Sequence, residues 1–139
     1  MGSAKSVRWW AGLVLLAGCG SDSKLETYEV TGTVTFADGK PLPGGIVTFR
    51  SYDHKVSASG VIASDGTCRM GTYKPGDGAV TGRHGVAIAG PTIQGDLDDP
   101  ANIPKIRIAP KYNRPSTSKL EFTVAPGQSN QFAFQVSPP

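Results

Sequence analysis

The chain has 139 residues and a formal net charge of +3, with 38% hydrophobic and 18% charged side chains; that length suits one domain with its own core and is short for two. Lys5 and Arg8 are two of the 14 basic residues, so a chain that loses its first 18 positions keeps 12 basic against 11 acidic side chains and is nearly neutral. Nucleic acid is therefore excluded as the expected partner, because its phosphates demand a concentrated basic surface; the one basic run, Lys105, Arg107, Lys111 and Arg114, reads as a solvated face.

The first element is an apolar run from Trp9 to Gly18, preceded by Lys5 and Arg8. Ten residues are too few for a helix that crosses a bilayer, which needs about 20. A basic start, a short apolar stretch and small residues before a cut are the layout of a removed secretory signal. The string Leu16, Ala17, Gly18, Cys19 resembles the lipobox of bacterial lipoproteins. That resemblance implies cleavage between Gly18 and Cys19 and diacylglyceryl attachment to the Cys19 thiol. Two or three acyl chains hold a protein at a membrane, each buried CH₂ adding ~0.8 kcal/mol. The competing readings are an ordinary secretory signal that leaves Cys19 free or in a disulfide, and a cytoplasmic protein with an apolar start. Against the second stands the polar tract from Gly20 to Lys24, which behaves as a flexible tether. Gly20 after the cysteine resembles lipoproteins that are not retained at an inner membrane. The expected organisation is a signal at 1–18, a lipidated tether at 19–26 and one folded domain at 27–139.

From residue 27 onward apolar residues recur with period two and Gly or Pro interrupts every 15 residues or fewer, an all-β pattern without a convincing helix. Tyr28, Val30, Gly32, Val34 and Phe36 share one face of a first strand. Asp38 and Gly39 turn the chain, and Ile46 to Phe49 is a second strand. A third runs from Val56 to Ala63, turns at Ser64, Asp65 and Gly66, and returns through Cys68 and Met70, so the spacing predicts two hairpins in series. A loop at Gly76, Asp77 and Gly78 precedes a strand from Arg83 to Ala89 with His84, Val86 and Ile88 on one face. Gly90 to Pro104 is a polar loop, long enough to be where a partner binds. Leu120 to Val124 and Phe132 to Val136 close the domain. About seven short strands predict a single antiparallel Greek-key β-sandwich.

The run VTGTVTFADGKPLPGGIVTF at 30–49 resembles the opening of carboxypeptidase regulatory-like domains, which have a transthyretin-like sandwich. SDGTCRM at 64–70 is similar to their second hairpin, DGAVTGRHGVAI at 77–88 to their GxYxV strand, and IAPKYNRPSTSKLEFTV at 108–124 to the ending of small planctomycete-type lipoproteins. The resemblance covers about residues 27–136 and implies a structural or interaction module without catalytic residues or cofactor. Two residues depart from the pattern: Cys68 replaces an aromatic or large aliphatic, and His84 replaces the GxYxV aromatic.

Four further readings compete at the residue level. Cys68 is a small buried hydrophobe or an exported thiol able to form a mixed disulfide. His54 and His84 would have to share a site for a metal-dependent enzyme, and they lack a close HxH spacing. Asp96, Asp98 and Asp99 carry the oxygen ligands that calcium takes, without an EF-hand pattern, and otherwise form a solvated loop. Tyr52, Tyr73 and Tyr112, for which core packing is the default reading as for the other aromatics, are the aromatic platforms of a carbohydrate-binding module if they converge on one groove. The leading expectation is an envelope-anchored lipoprotein outside the cytoplasm, attached to the membrane through Cys19, with an envelope protein or polysaccharide as partner.

Overall fold

The computed structural model describes residues 24–91, 98–102 and 106–139. The signal, Gly18, Cys19 and most of the tether lie outside the described residues, as do Asp96, Lys105 and most of the polar loop. Within them the protein is an all-β sandwich. Its strands are β1 (Thr27–Tyr28), β2 (Val30–Phe36), β3 (Ile46–Ser51), β4 (Ser57–Val61), β5 (Thr67–Arg69), β6 (Ala79–Val80), β7 (Gly82–Ala89), β8 (Leu120–Val124) and β9 (Asn130–Val136). One sheet has the order β5-β2-β9 and the other β4-β3-β7-β8, while β1 and β6 form a two-stranded ribbon. Seven of the nine described strands have three residues or more, which matches the expected number.

Alternation dictates which side chains meet between the sheets. Val47, Phe49, Ala58, His84, Val86 and Ile88 point inward from one sheet, and Val30, Val34, Cys68, Phe132, Phe134 and Val136 from the other. Phe49 sits at the centre, with ring centroids 5.3 Å from Phe132, 5.5 Å from Phe122 and 5.7 Å from His84. Burying one such phenyl ring contributes about 2–3 kcal/mol. Gly32 pairs with Phe132 across β2 and β9, and a Cβ at Gly32 would overlap the Phe132 ring and carbonyl. A larger residue on that inward position would drive Phe132 out of place.

Two topological expectations need correction. β2 and β9 run parallel, from Val30 opposite Asn130 to Phe36 opposite Val136, whereas the other strand pairs are antiparallel. The predicted hairpins are also corners that join the two sheets. The turn at Gly39, with φ 86°, does fold the chain back: Phe36 N–H donates to the Lys40 carbonyl and Leu42 N–H to that of Val34. Pro41 and Pro43 have no N–H to extend this ladder, Leu42 is fully buried, and the chain crosses to the other sheet as β3. The second corner keeps only the isolated bridges Ser59 to Gly71 and Ile62 to Cys68 before β5 joins β2.

A third correction concerns residues 106–118, where the pattern shows no helix. Pro110–Asn113 forms a 3₁₀ turn and Pro115–Ser118 a single α-helical turn, here α1. Both begin with proline, which suits a first helical position because its missing N–H would have no partner there. Ser118 Oγ donates to the Val86 carbonyl, so α1 lies over the outer side of β7 and covers Gly85 and Ala87. The outer face of β3 and β4 has no such cover among the described residues.

Candidate interaction surfaces

The three tyrosines do not converge. Tyr112 is buried, with its hydroxyl accepting from Ser137 N–H at 3.2 Å; it belongs to the core beneath the 3₁₀ turn and offers no platform. Tyr52 follows the end of β3, where the Arg83 guanidinium lies 5.1 Å from its ring centroid and its hydroxyl donates to Glu121 at 3.5 Å. Arg83 and Glu121 are themselves paired at 3.7 Å. Tyr73 belongs to a groove that it lines with Ile46, the first residue of β3, whereas Tyr52 follows that strand's last residue, so the two exposed rings do not share this groove.

The histidines are neighbours but unequal. His84 is fully buried beside Phe49, and its Nε2 lies 2.8 Å from the Val80 carbonyl. That contact makes Nε2 the protonated nitrogen and leaves Nδ1 a buried acceptor without a partner among the described residues. Burial pushes its pKa below the ordinary histidine value, nearby His54 adds to the fall, and the Val80 bond and Asp53 oppose it. Among the described residues no three His, Cys, Asp or Glu side chains are grouped to hold a metal ion. Asp99 accepts Ala101 N–H at 2.9 Å as the chain enters a 3₁₀ turn at Pro100–Asn102.

Cys68 faces inward and is buried, with its thiol 3.8 Å from the Met70 sulfur. Desolvation pushes the thiol pKa up to about 11, which suppresses the reactive thiolate. Arg107, Lys111 and Arg114 are exposed.

What sequence reasoning missed is an apolar surface near residue 24. Six large hydrophobic residues are exposed among the described ones. Ile46, Val61 and Tyr73 line one groove, and Leu25 donates its N–H to the Tyr73 hydroxyl at 3.0 Å. Ile46 and Val61 are directly paired across β3 and β4 on the uncovered outer face, and Val61 is 74% exposed. Parity carried the signal: Val61 shares its face with Ser57 and Ser59, and Ile46 shares its face with Thr48. Arg69 and Lys74 border the same groove, and the Lys24 ammonium lies 5.7 Å from the Tyr73 ring centroid.

The loop that carries Tyr73 is fixed by one side chain. The Asp77 carboxylate accepts the backbone N–H groups of Thr72, Tyr73 and Lys74 at 2.6, 3.0 and 3.0 Å. Partial burial raises the Asp77 pKa, but these three bonds and Lys74 outweigh it and hold the carboxyl below its ordinary value.

No family model, curated protein or solved structure matches the chain.

Proposed function

We propose that the protein is an exported lipoprotein, acylated at Cys19, whose β-sandwich is a non-catalytic structural or interaction module held at the cell envelope. The observation that carries this reading is the order of elements along the chain. A short apolar segment ending in Leu16, Ala17, Gly18, Cys19 is followed within eight residues by β1 of a folded sandwich. Such a layout leaves room for a membrane anchor and a brief tether before the fold.

The chemistry-bearing side chains support a structural body. His84 and Cys68 are spent on the core, Asp77 on its loop, and Asn130 on the corner after β8, where its amide accepts Ala125 N–H and donates to the Ala125 and Gln128 carbonyls. An all-β sandwich is also what the resemblance to carboxypeptidase regulatory-like domains implies, and that membership is part of the proposal. Buried Tyr112 removes the ground for a three-tyrosine sugar site.

The test is fractionation of cells producing the wild type and Cys19→Ser. The wild type is expected to sediment with membranes and to enter the detergent phase. Cys19→Ser is expected to accumulate as an uncleaved precursor or as a soluble product. Identical processing and identical partitioning of the two proteins would contradict the anchor.

A further inference from the structure

We propose that the surface formed by Leu25, Ile46, Val61 and Tyr73, with Lys24, Arg69 and Lys74 beside it, docks the sandwich onto the anionic lipid surface in which its own anchor sits. This rests on the lipid anchor proposed above and adds an orientation to it.

Reach is the first argument. Five residue steps separate Cys19 from Lys24, and a fully extended chain spans at most about 3.6 Å per residue, so Lys24 stays within about 18 Å of the acylated cysteine. The Lys24 ammonium lies 5.7 Å from the Tyr73 ring centroid, and Leu25 N–H is bonded to the Tyr73 hydroxyl. The end of the sandwich that must lie nearest the membrane is therefore the end that carries the exposed apolar residues.

Composition is the second. Four of the six exposed large hydrophobic residues belong to this one surface, and an apolar cluster beside polar residues marks an interaction site. Apolar side chains beside Lys and Arg, with an aromatic that has one polar end, are the pairing that suits the headgroup boundary of an anionic bilayer. Two carboxylates also lie close by, Glu26 next to Leu25 in the chain and Asp77, bonded to three amides, so the three cations leave this surface net basic by one charge. Rigidity is the third argument, since the Asp77 bonds hold Tyr73 in place and the β3–β4 pairing holds Ile46 beside Val61.

A mature chain cut before Cys19 contains no tryptophan, because both occur at positions 9 and 10. A single introduced tryptophan is then a clean reporter. The purified lipidated variants Val61→Trp and Tyr52→Trp are placed in vesicles of phosphatidylglycerol and phosphatidylcholine with brominated acyl chains, and the N-terminal acyl mass is measured on the same samples. The indole of Val61→Trp is expected to shift to the blue and to be quenched at least twofold more than that of Tyr52→Trp. Adding Lys24→Glu, Arg69→Glu and Lys74→Glu is expected to remove most of that difference while the acyl mass stays. Equal or absent quenching in both variants of an acylated protein overturns the docking face and leaves the anchor standing. Emission from Val61→Trp that is blue-shifted but unquenched places protein rather than lipid on this face and overturns the lipid assignment. A mass without acyl chains overturns the anchor and the docking face together.

Discussion

His84 shows how a single side chain reports on the core. Its imidazole is fully buried, with Nε2 donating to Val80 and Nδ1 lacking a partner among the described residues, so the folded state holds the neutral ring and resists the second proton. Because burial lowers the folded pKa below the unfolded value, the unfolded chain binds the proton first as pH falls. Stability should be complete above the ordinary histidine pKa of about 6.5 and should decline as pH drops below it. Denaturation of the wild type from pH 7.5 to pH 5 is expected to show this decline, and His84→Phe is expected to flatten it. An equal slope in both proteins would mean that His84 is not the group responsible. The inward direction of His84 and Cys68 was legible because parity with Val86, Ile88 and Met70 leaves them no other face. The burial of Tyr112 agrees with core packing as the default for an aromatic, but its means was not legible: a 3₁₀ turn that packs against β7 and a bond from Ser137, 25 positions away. Tyr52 and Tyr73 depart from the same default and are exposed. The calcium expectation for Asp96, Asp98 and Asp99 rests partly on Asp96, outside the described residues.

Among the elements, the Gly71–Gly78 loop joins sequence pattern to surface. Gly76, Asp77 and Gly78 signalled a loop, yet only the fold reveals that one carboxylate gathers three consecutive amides and so positions Tyr73. Asp77→Ala strands those amides and is expected to cost about 1–2 kcal/mol, the ordinary penalty for unmade bonds to a charged acceptor that is partly exposed. The folded carboxyl titrates below its ordinary value, so its contribution is present above about pH 4 and is lost as pH falls through the folded pKa. Urea midpoints at pH 7 and pH 3 for the wild type and Asp77→Ala check this: the gap should be wide at pH 7 and narrow at pH 3. A gap that does not change with pH would assign the effect to packing. The longer strands were readable because they are runs of alternating residues punctuated by Gly and Pro, whereas the two-residue β6 and the break at Glu29 that separates β1 from β2 were not. Strand partners were less so. A turn such as Asp38–Gly39 fixes the reversal of the chain, but Pro41, Pro43 and buried Leu42 decide that the next strand joins the opposite sheet. The parallel pairing of β2 with β9 joins segments 100 residues apart, and nothing local encodes it.

At the scale of the whole molecule, the proposed arrangement joins a short removable apolar segment, a tether of a few residues and a sandwich whose apolar surface lies where the tether enters. The sandwich was legible because every strand must hide one face, and two sheets are the smallest arrangement that hides both sets. The exposed cluster was overlooked because Ile46, Val61 and Tyr73 come from separate strands and loops, and each alone reads as an ordinary surface or strand residue. Function and orientation both depend on the anchor, and intact mass spectrometry of the mature protein, combined with its fluorescence, reads that anchor without intermediaries. The expected mature chain begins at Cys19, carries acyl mass on that residue and emits as a tyrosine protein, because Trp9 and Trp10 are gone. A mature chain with an unmodified Cys19, or one that keeps both tryptophans, would contradict the anchor.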